Sequence, residues 1–214
     1  IDNNKEKADL FAETFAAVSS NANRDADFNN YRQKFEADRK PRPDAIYNST
    51  AENACINETF AMHELLRAAR ECKKATAPGE DNISYDMLKR LPKQCLRVLL
   101  EFYNGIWTSG KMPDVWRESI VVPILKIGKE KTAASSYRPI SLTSTLCKLM
   151  ERLVKNRLAY FIESKSKLAN IQSGFRKGRS TIDHILRLSD HIGRGINTKR
   201  FTLAVFLDFT SAFD

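Results

Sequence analysis

No stretch of the 214 residues approaches the roughly 20 consecutive apolar positions that a membrane helix requires. Nor does a leader-like segment stand at the start. Cys55, Cys72, Cys95 and Cys147 are widely scattered, and His63, His184 and His191 lie away from them. That spacing excludes a compact zinc site and a secreted disulfide framework. Cys72 and Cys95 fall on apolar helical faces, which predicts buried free thiols. Asn48-Ser-Thr50 and Asn57-Glu-Thr59 match glycosylation acceptors by chance, and no internal repeat is visible. The chain starts at Ile1 rather than Met, and a piece of a longer protein is expected.

Hydrophobic residues make up 42%, enough for a globular core in one large or two small domains. The net charge of +9 is unevenly spread. Residues 1–60 carry 8 Lys/Arg against 11 Asp/Glu, whereas residues 126–200 carry 17 against 5. Residues 201–214 hold two Asp and no basic residue. A basic block directly before an acidic segment suits a polyanion led to a metal-binding carboxylate.

Apolar spacing predicts a helix over Glu6–Ser19, with Ala8, Phe11, Phe15 and Val18 on one face. Ser20–Ser49, with Pro41 and Pro43, reads as a linker or peripheral segment. A second helix is expected over Met62–Lys74, burying Met62, Leu65, Leu66, Ala69 and Cys72. Pro78-Gly79 signals a turn in which Asn82 tolerates a left-handed backbone. Pro92 and Gly110 bracket a helix striped by Leu96, Leu99, Leu100, Tyr103, Ile106 and Trp107. Glu118–Leu125 and Tyr137–Leu142 read as strands joined by a basic loop, a hairpin with Pro123 at an edge. Thr143 or Ser144 then caps a helix with Leu146, Leu149, Met150, Leu153, Leu158, Phe161 and Ile162 inside. Ser180 and Asp183 form a capping box for a helix that Gly193 and Gly195 should end. Phe201–Leu207, apolar except for Thr202, reads as a strand buried on both faces that presents Asp208 at its end.

Of two familiar motifs, spacing excludes the first and leaves the second only a weak runner-up. Gly174–Thr181 is one residue short of a P-loop, has Arg for its Lys and follows no apolar strand. Leu207-Asp208-Phe209-Thr210 lacks the second aspartate, two residues on, that haloacid-dehalogenase-like phosphatases need. The loop around Arg176, Lys177 and Arg179 still suits contact with a nucleic-acid backbone, against the plainer reading of a solvated basic turn.

Several short motifs occur together and in order. They are Ala77-Pro-Gly-Glu-Asp-Asn-Ile83, Trp116 with Val122-Pro-Ile124 and Lys126, Tyr137-Arg-Pro-Ile-Ser-Leu142 and Lys148 with Glu151. Gln172-Ser-Gly-Phe-Arg176 and Phe206-Leu-Asp-Phe-Thr-Ser-Ala-Phe-Asp214 complete the series. In this order they resemble the reverse transcriptase of non-LTR (LINE-type) retrotransposons, close to the jockey-like branch, over roughly residues 55–214. Asn82 departs from the glycine usual there.

The resemblance implies an α+β fold: a helical region over 1–54, fingers of hairpin and helices over 55–200, and a truncated palm whose first strand lies in 201–214. It implies an RNA-directed DNA polymerase acting on template RNA, a DNA primer and deoxynucleoside triphosphates. Two divalent ions would serve it, Mg²⁺ or alternatively Mn²⁺, with no other small-molecule cofactor. Asp208 matches a metal-binding aspartate, with the Phe209 carbonyl as a further ligand. Arg138 matches a triphosphate-binding arginine, with Lys126 named ahead of Lys129 and Lys131 as its companion. Phe213 matches the residue that excludes a ribose 2′-hydroxyl. Arg176, Lys177 and Arg179 would guide the template, with Phe175 either filling core, the favoured reading, or stacking on a base. An intracellular setting, in a cytoplasmic ribonucleoprotein and the nucleus, follows from the family. No Asp-Asp dipeptide, the family's second carboxylate pair, occurs in these residues. The chain alone is therefore expected to be inactive and its final strand poorly buried, for want of downstream partners. The competing expectation is a retroelement remnant that binds nucleic acid without catalysis.

Overall fold

The computed structural model describes residues 3–18, 20, 24–38, 54–72 and 76–208. They form mostly helix with one small antiparallel sheet. Helices α1 (Asn4–Val18), α2 (Ala26–Asp38) and the single turn α3 (Ala54–Asn57) come first. Next are α4 (Met62–Glu71), α5 (Tyr85–Lys89) and α6 (Lys93–Ser109). Strands β1 (Ile120–Leu125) and β2 (Tyr137–Leu142) follow, and α7 (Thr145–Ser164) and α8 (Thr181–Asn197) complete the order. The chain divides into two compact units, one running to Leu158 and the other spanning Ala159–Ala212, described as far as Asp208.

The first unit holds the core. Leu65, Ala68, Ala69 and Cys72 from α4 meet Tyr103 and Ile106 from α6 and Cys147, Leu149, Met150 and Leu153 from α7. Tyr103 is fully buried, and its hydroxyl donates to the Leu146 carbonyl at 2.8 Å. Trp116 sits edge-on to Phe102 and Tyr103 just before β1, fixing where the chain leaves the core. Pro92 begins α6, and Gly110 ends it at φ 64°, a left-handed geometry that suits a residue without Cβ.

Several expectations change. The segment read as a linker or peripheral stretch contains a helix, α2, whose Phe28 and Tyr31 are exposed, in keeping with the peripheral alternative. On α4 the buried face takes Ala68 and leaves Leu66 exposed, because a 3.6-residue period brings 65, 68, 69 and 72 together. Cys95 is exposed rather than buried, as is Leu158 on α7. Helix α8 runs through Gly193 and Gly195 to Asn197, with Thr198 as its cap and Lys199 left-handed at φ 54°. Gly195 instead permits close approach: a Cβ there would lie 2.6 Å from Thr202 Oγ1.

β1 and β2 pair antiparallel, with Ile124 opposite Arg138 and Pro123 opposite Pro139. The Lys126 amide donates to the Ser136 carbonyl at 2.8 Å. By alternation from there, 124↔138 is a hydrogen-bonded pair and 123↔139 is not. Neither proline thus disrupts the ladder between the strands. Phe11 of α1 packs edge-on against Tyr137, at 4.9 Å between ring centroids.

In the second unit the run 201–207 forms no strand among the described residues, contrary to the buried-strand reading. Phe206 is 83% exposed and Leu203 and Leu207 are more so. A strand needs a neighbour to pair with, and β1–β2 is the only pairing the described residues contain. The poor burial expected for this segment is what the structure shows.

Candidate functional site

Arg138 occupies the second position of β2, exposed and facing Ile124 across the hairpin. Lys126 follows the end of β1, but its amide still pairs with the Ser136 carbonyl, and the strand's alternation carried one residue further puts it on the side of Arg138. The Lys126 ammonium donates to the Ser135 carbonyl at 2.9 Å, which ties it to its own loop and leaves two of its three hydrogens. The Arg138 guanidinium makes no hydrogen bond or ion pair among the described residues, so its planar fork is open to an anion. Lys129 and Lys131 are exposed in the connecting loop, where Gly128 turns the chain at φ 75°. The hairpin thus presents two cations of different reach on one face, geometry suited to phosphate oxygens.

The second basic element lies in the other unit. Arg176 is turned inward rather than outward, with a side chain only 9% exposed. Its Nε and one terminal nitrogen grip both Glu163 oxygens at 2.8 and 2.5 Å. Its other terminal nitrogen donates to the carbonyls of Ala169 and Gln172. The pairing draws the Glu163 carboxyl below the usual carboxylate range and holds Arg176 more firmly protonated. Arg179 donates to the Asn170 carbonyl at 2.5 Å, and Lys177 stands exposed between them. Phe175 corrects the core reading: the residue is 99% exposed, and its backbone is left-handed at φ 60°. An exposed aromatic in an unfavourable backbone well is the kind of strain that collects at binding loops.

Asp208 is exposed at the end of the apolar run. Phe209 and Phe213 lie outside the described residues. Asp208 offers one hard oxygen donor, but among the described residues no three His, Cys, Asp or Glu side chains gather to hold an ion. The described residues do not by themselves make a metal site. No helix among the described residues is long and apolar enough to cross a membrane.

Two features went unread in the sequence. One is Arg157, whose guanidinium pairs both Glu64 oxygens at 2.7 Å, lies over the Phe60 ring and donates to the carbonyls of Ile56, Glu58 and Thr59. The other is the contact between Asp81 and Ser144, at 2.6 Å. Both link residues more than 60 positions apart, so no local pattern announces them.

A mainly helical unit with an anion-ready hairpin, followed by a basic loop and an exposed aspartate, fits a polymerase of nucleic acids. Residues 127–214 match the family described as reverse transcriptase (RNA-dependent DNA polymerase). Those residues carry a reverse transcriptase domain, and the chain is homologous to RNA-directed DNA polymerases of jockey-like, non-LTR retrotransposons. It is 37% identical over 153 residues to the "Probable RNA-directed DNA polymerase from transposon BS" of Drosophila melanogaster, a match covering 72% of this chain and 17% of that protein. It is 34% identical over 138 residues to the "RNA-directed DNA polymerase from mobile element jockey" of the same species, covering 64% and 15%. The jockey polymerase of Drosophila funebris is 31% identical over 157 residues, covering 73% and 17%. The chain thus spans about a sixth of the length of these relatives.

Proposed function

We propose that this segment binds the incoming nucleotide and guides the template in an RNA-directed DNA polymerase. The observation that carries the reading is the hairpin, where Arg138 stands open on the face it shares with Lys126, at the start of the matched region. Arg138 would take two triphosphate oxygens through its fork, and Lys126 would add a point charge beside them. Lys177 and Arg179 would follow the template phosphates, with Arg176 holding their loop in shape. Residues 55–200 would form the fingers, and 201–214 the start of the palm. Phe213 would bar a ribose 2′-hydroxyl. In the parent protein Asp208, with the Phe209 carbonyl, would contribute to binding divalent ions, Mg²⁺ by preference. The substrates are then template RNA, a DNA primer and deoxynucleoside triphosphates, in an intracellular ribonucleoprotein.

Primer extension by the parent polymerase tests this. Asp208→Asn is expected to abolish extension, and Arg138→Ala to raise KM for deoxynucleotides roughly ten- to a hundredfold, the loss of a charge-assisted contact worth about 1.5–3 kcal/mol. Extension that survives Asp208→Asn would overturn the metal assignment.

A further inference from the structure

The motif Ala77–Ile83 touches neither the hairpin cations nor the basic loop, yet its Gly79 is buried in a tight fit. Gly79 lies directly against the chain leaving β2: a Cβ there would sit 2.7 Å from the carbonyl carbon and oxygen of Thr143 and 2.8 Å from Ser144 N. Backbone atoms cannot move aside as a flexible side chain can, so only glycine fits. The Ser144 hydroxyl donates to Asp81 Oδ2 at 2.6 Å. The same hydroxyl oxygen accepts from the Cys147 amide at 3.4 Å, so one residue caps α7 and anchors the loop. The other Asp81 oxygen accepts from the Ile83 amide, and the Asn82 amide reaches back to the Gly79 carbonyl. Asn82 adopts φ 53° to close this turn.

Thr143 and Ser144 are also the joint between the hairpin and the helical core. β2 ends at Leu142, and the two-stranded ribbon beyond keeps Val121, Ile124 and Ile140 exposed, so apart from Phe11 against Tyr137 little side-chain packing fixes its direction. Arg138 sits six residues up the strand, about 20 Å from Ser144 at the rise of an extended chain. A small rotation at the joint is therefore magnified at the guanidinium.

We propose that the 77–83 loop is a positioning element: Gly79 and Asp81, through Ser144, fix the angle at which the hairpin holds Arg138 and Lys126 toward the nucleotide. This rests on the nucleotide-binding reading of the hairpin. The experiment compares Asp81→Ala, Ser144→Ala, the double variant, Gly79→Ala and Arg138→Ala in the parent polymerase. Amide hydrogen exchange is followed at 120–142 and in α4 and α6, with deoxynucleotide KM, kcat and RNA affinity measured in parallel. Exchange in the hairpin is expected to quicken in the Asp81 and Ser144 variants while α4 and α6 stay protected. Deoxynucleotide KM should rise roughly tenfold, as for a displaced contact, with RNA affinity unchanged. The double variant should fall short of the sum of the single changes, because both break the shared Asp81–Ser144 contact while each also loses one bond of its own, to the Ile83 and the Cys147 amide. Hairpin exchange that does not change, or that rises together with exchange in α4 and α6, would overturn the proposal. So would a fall in kcat at unchanged KM. A hairpin that loosens while KM stays constant in these variants and in Arg138→Ala upholds the anchoring and removes the nucleotide role instead. Should Gly79→Ala fail to fold, the Asp81 and Ser144 pair still decides the matter.

Discussion

Arg157 shows how much one side chain can organise. Its side chain is 12% exposed and that of Glu64 24%, so the pair is shielded, and three carbonyls of 56–59 converge on the same cation. Removing the cation leaves a carboxylate and three acceptors without it, and Arg157→Ala should cost roughly 3 kcal/mol in urea unfolding. The Arg157 hydrogen bonds are the main reason the Glu64 carboxyl sits below its ordinary value of 4.5. A depressed folded value means this contribution is present above about pH 4.5 and lost as pH falls through the folded value. Acid titration of stability should therefore flatten in the Arg157→Ala variant. An equal acid slope in both proteins would remove Glu64 from that account.

Among elements, the basic loop separates a residue that shapes from residues that touch. The Arg176 donors are spent on Glu163, Ala169 and Gln172, whereas Lys177 is exposed. Lys177→Ala is expected to weaken RNA binding and lower the salt slope by about one, the signature of a lost phosphate contact. Glu163→Ala should reproduce the effect of Arg176→Ala, since either change frees the loop. If Glu163→Ala leaves RNA affinity intact and Arg176→Ala does not, Arg176 itself meets the phosphate. The sequence made the hairpin, α6 between Pro92 and Gly110, the Asn82 turn and the Ser180–Asp183 box legible, because each is set by local chemistry. Phe175 and Arg176 were read the wrong way round in burial, as their local pattern holds no trace of Glu163, 13 residues away. The run 201–207 failed for a different reason: apolar periodicity states what a segment could bury, and a strand also needs a partner.

At the scale of the whole molecule, ionisable groups buried in the first unit set an alkaline limit. Burial pushes the Cys147 thiol from 9.0 to about 11 and the Tyr85 phenol from 10.0 to about 12, the latter also opposed by nearby Cys72. Raised folded values mean full stability below about pH 9 and progressive loss as pH climbs through 11 to 12. Cys147→Ala should shift the onset of that decline upward in urea unfolding followed from pH 8 to 12. An unchanged onset would mean that other groups set the limit. Finally, the facing prolines of the hairpin carry a consequence for self-association. In a non-hydrogen-bonded pair each residue points its amide position outward, so Pro123 and Pro139 each place a gap midway along an open flank of the ribbon. A ribbon studded with exposed Ile120, Val121, Val122, Ile124 and Ile140 would otherwise be a template on which further chains could align and grow into fibres. Both flanks are interrupted at the same level, which lets the hairpin stay apolar and bare while remaining a poor seed for aggregation.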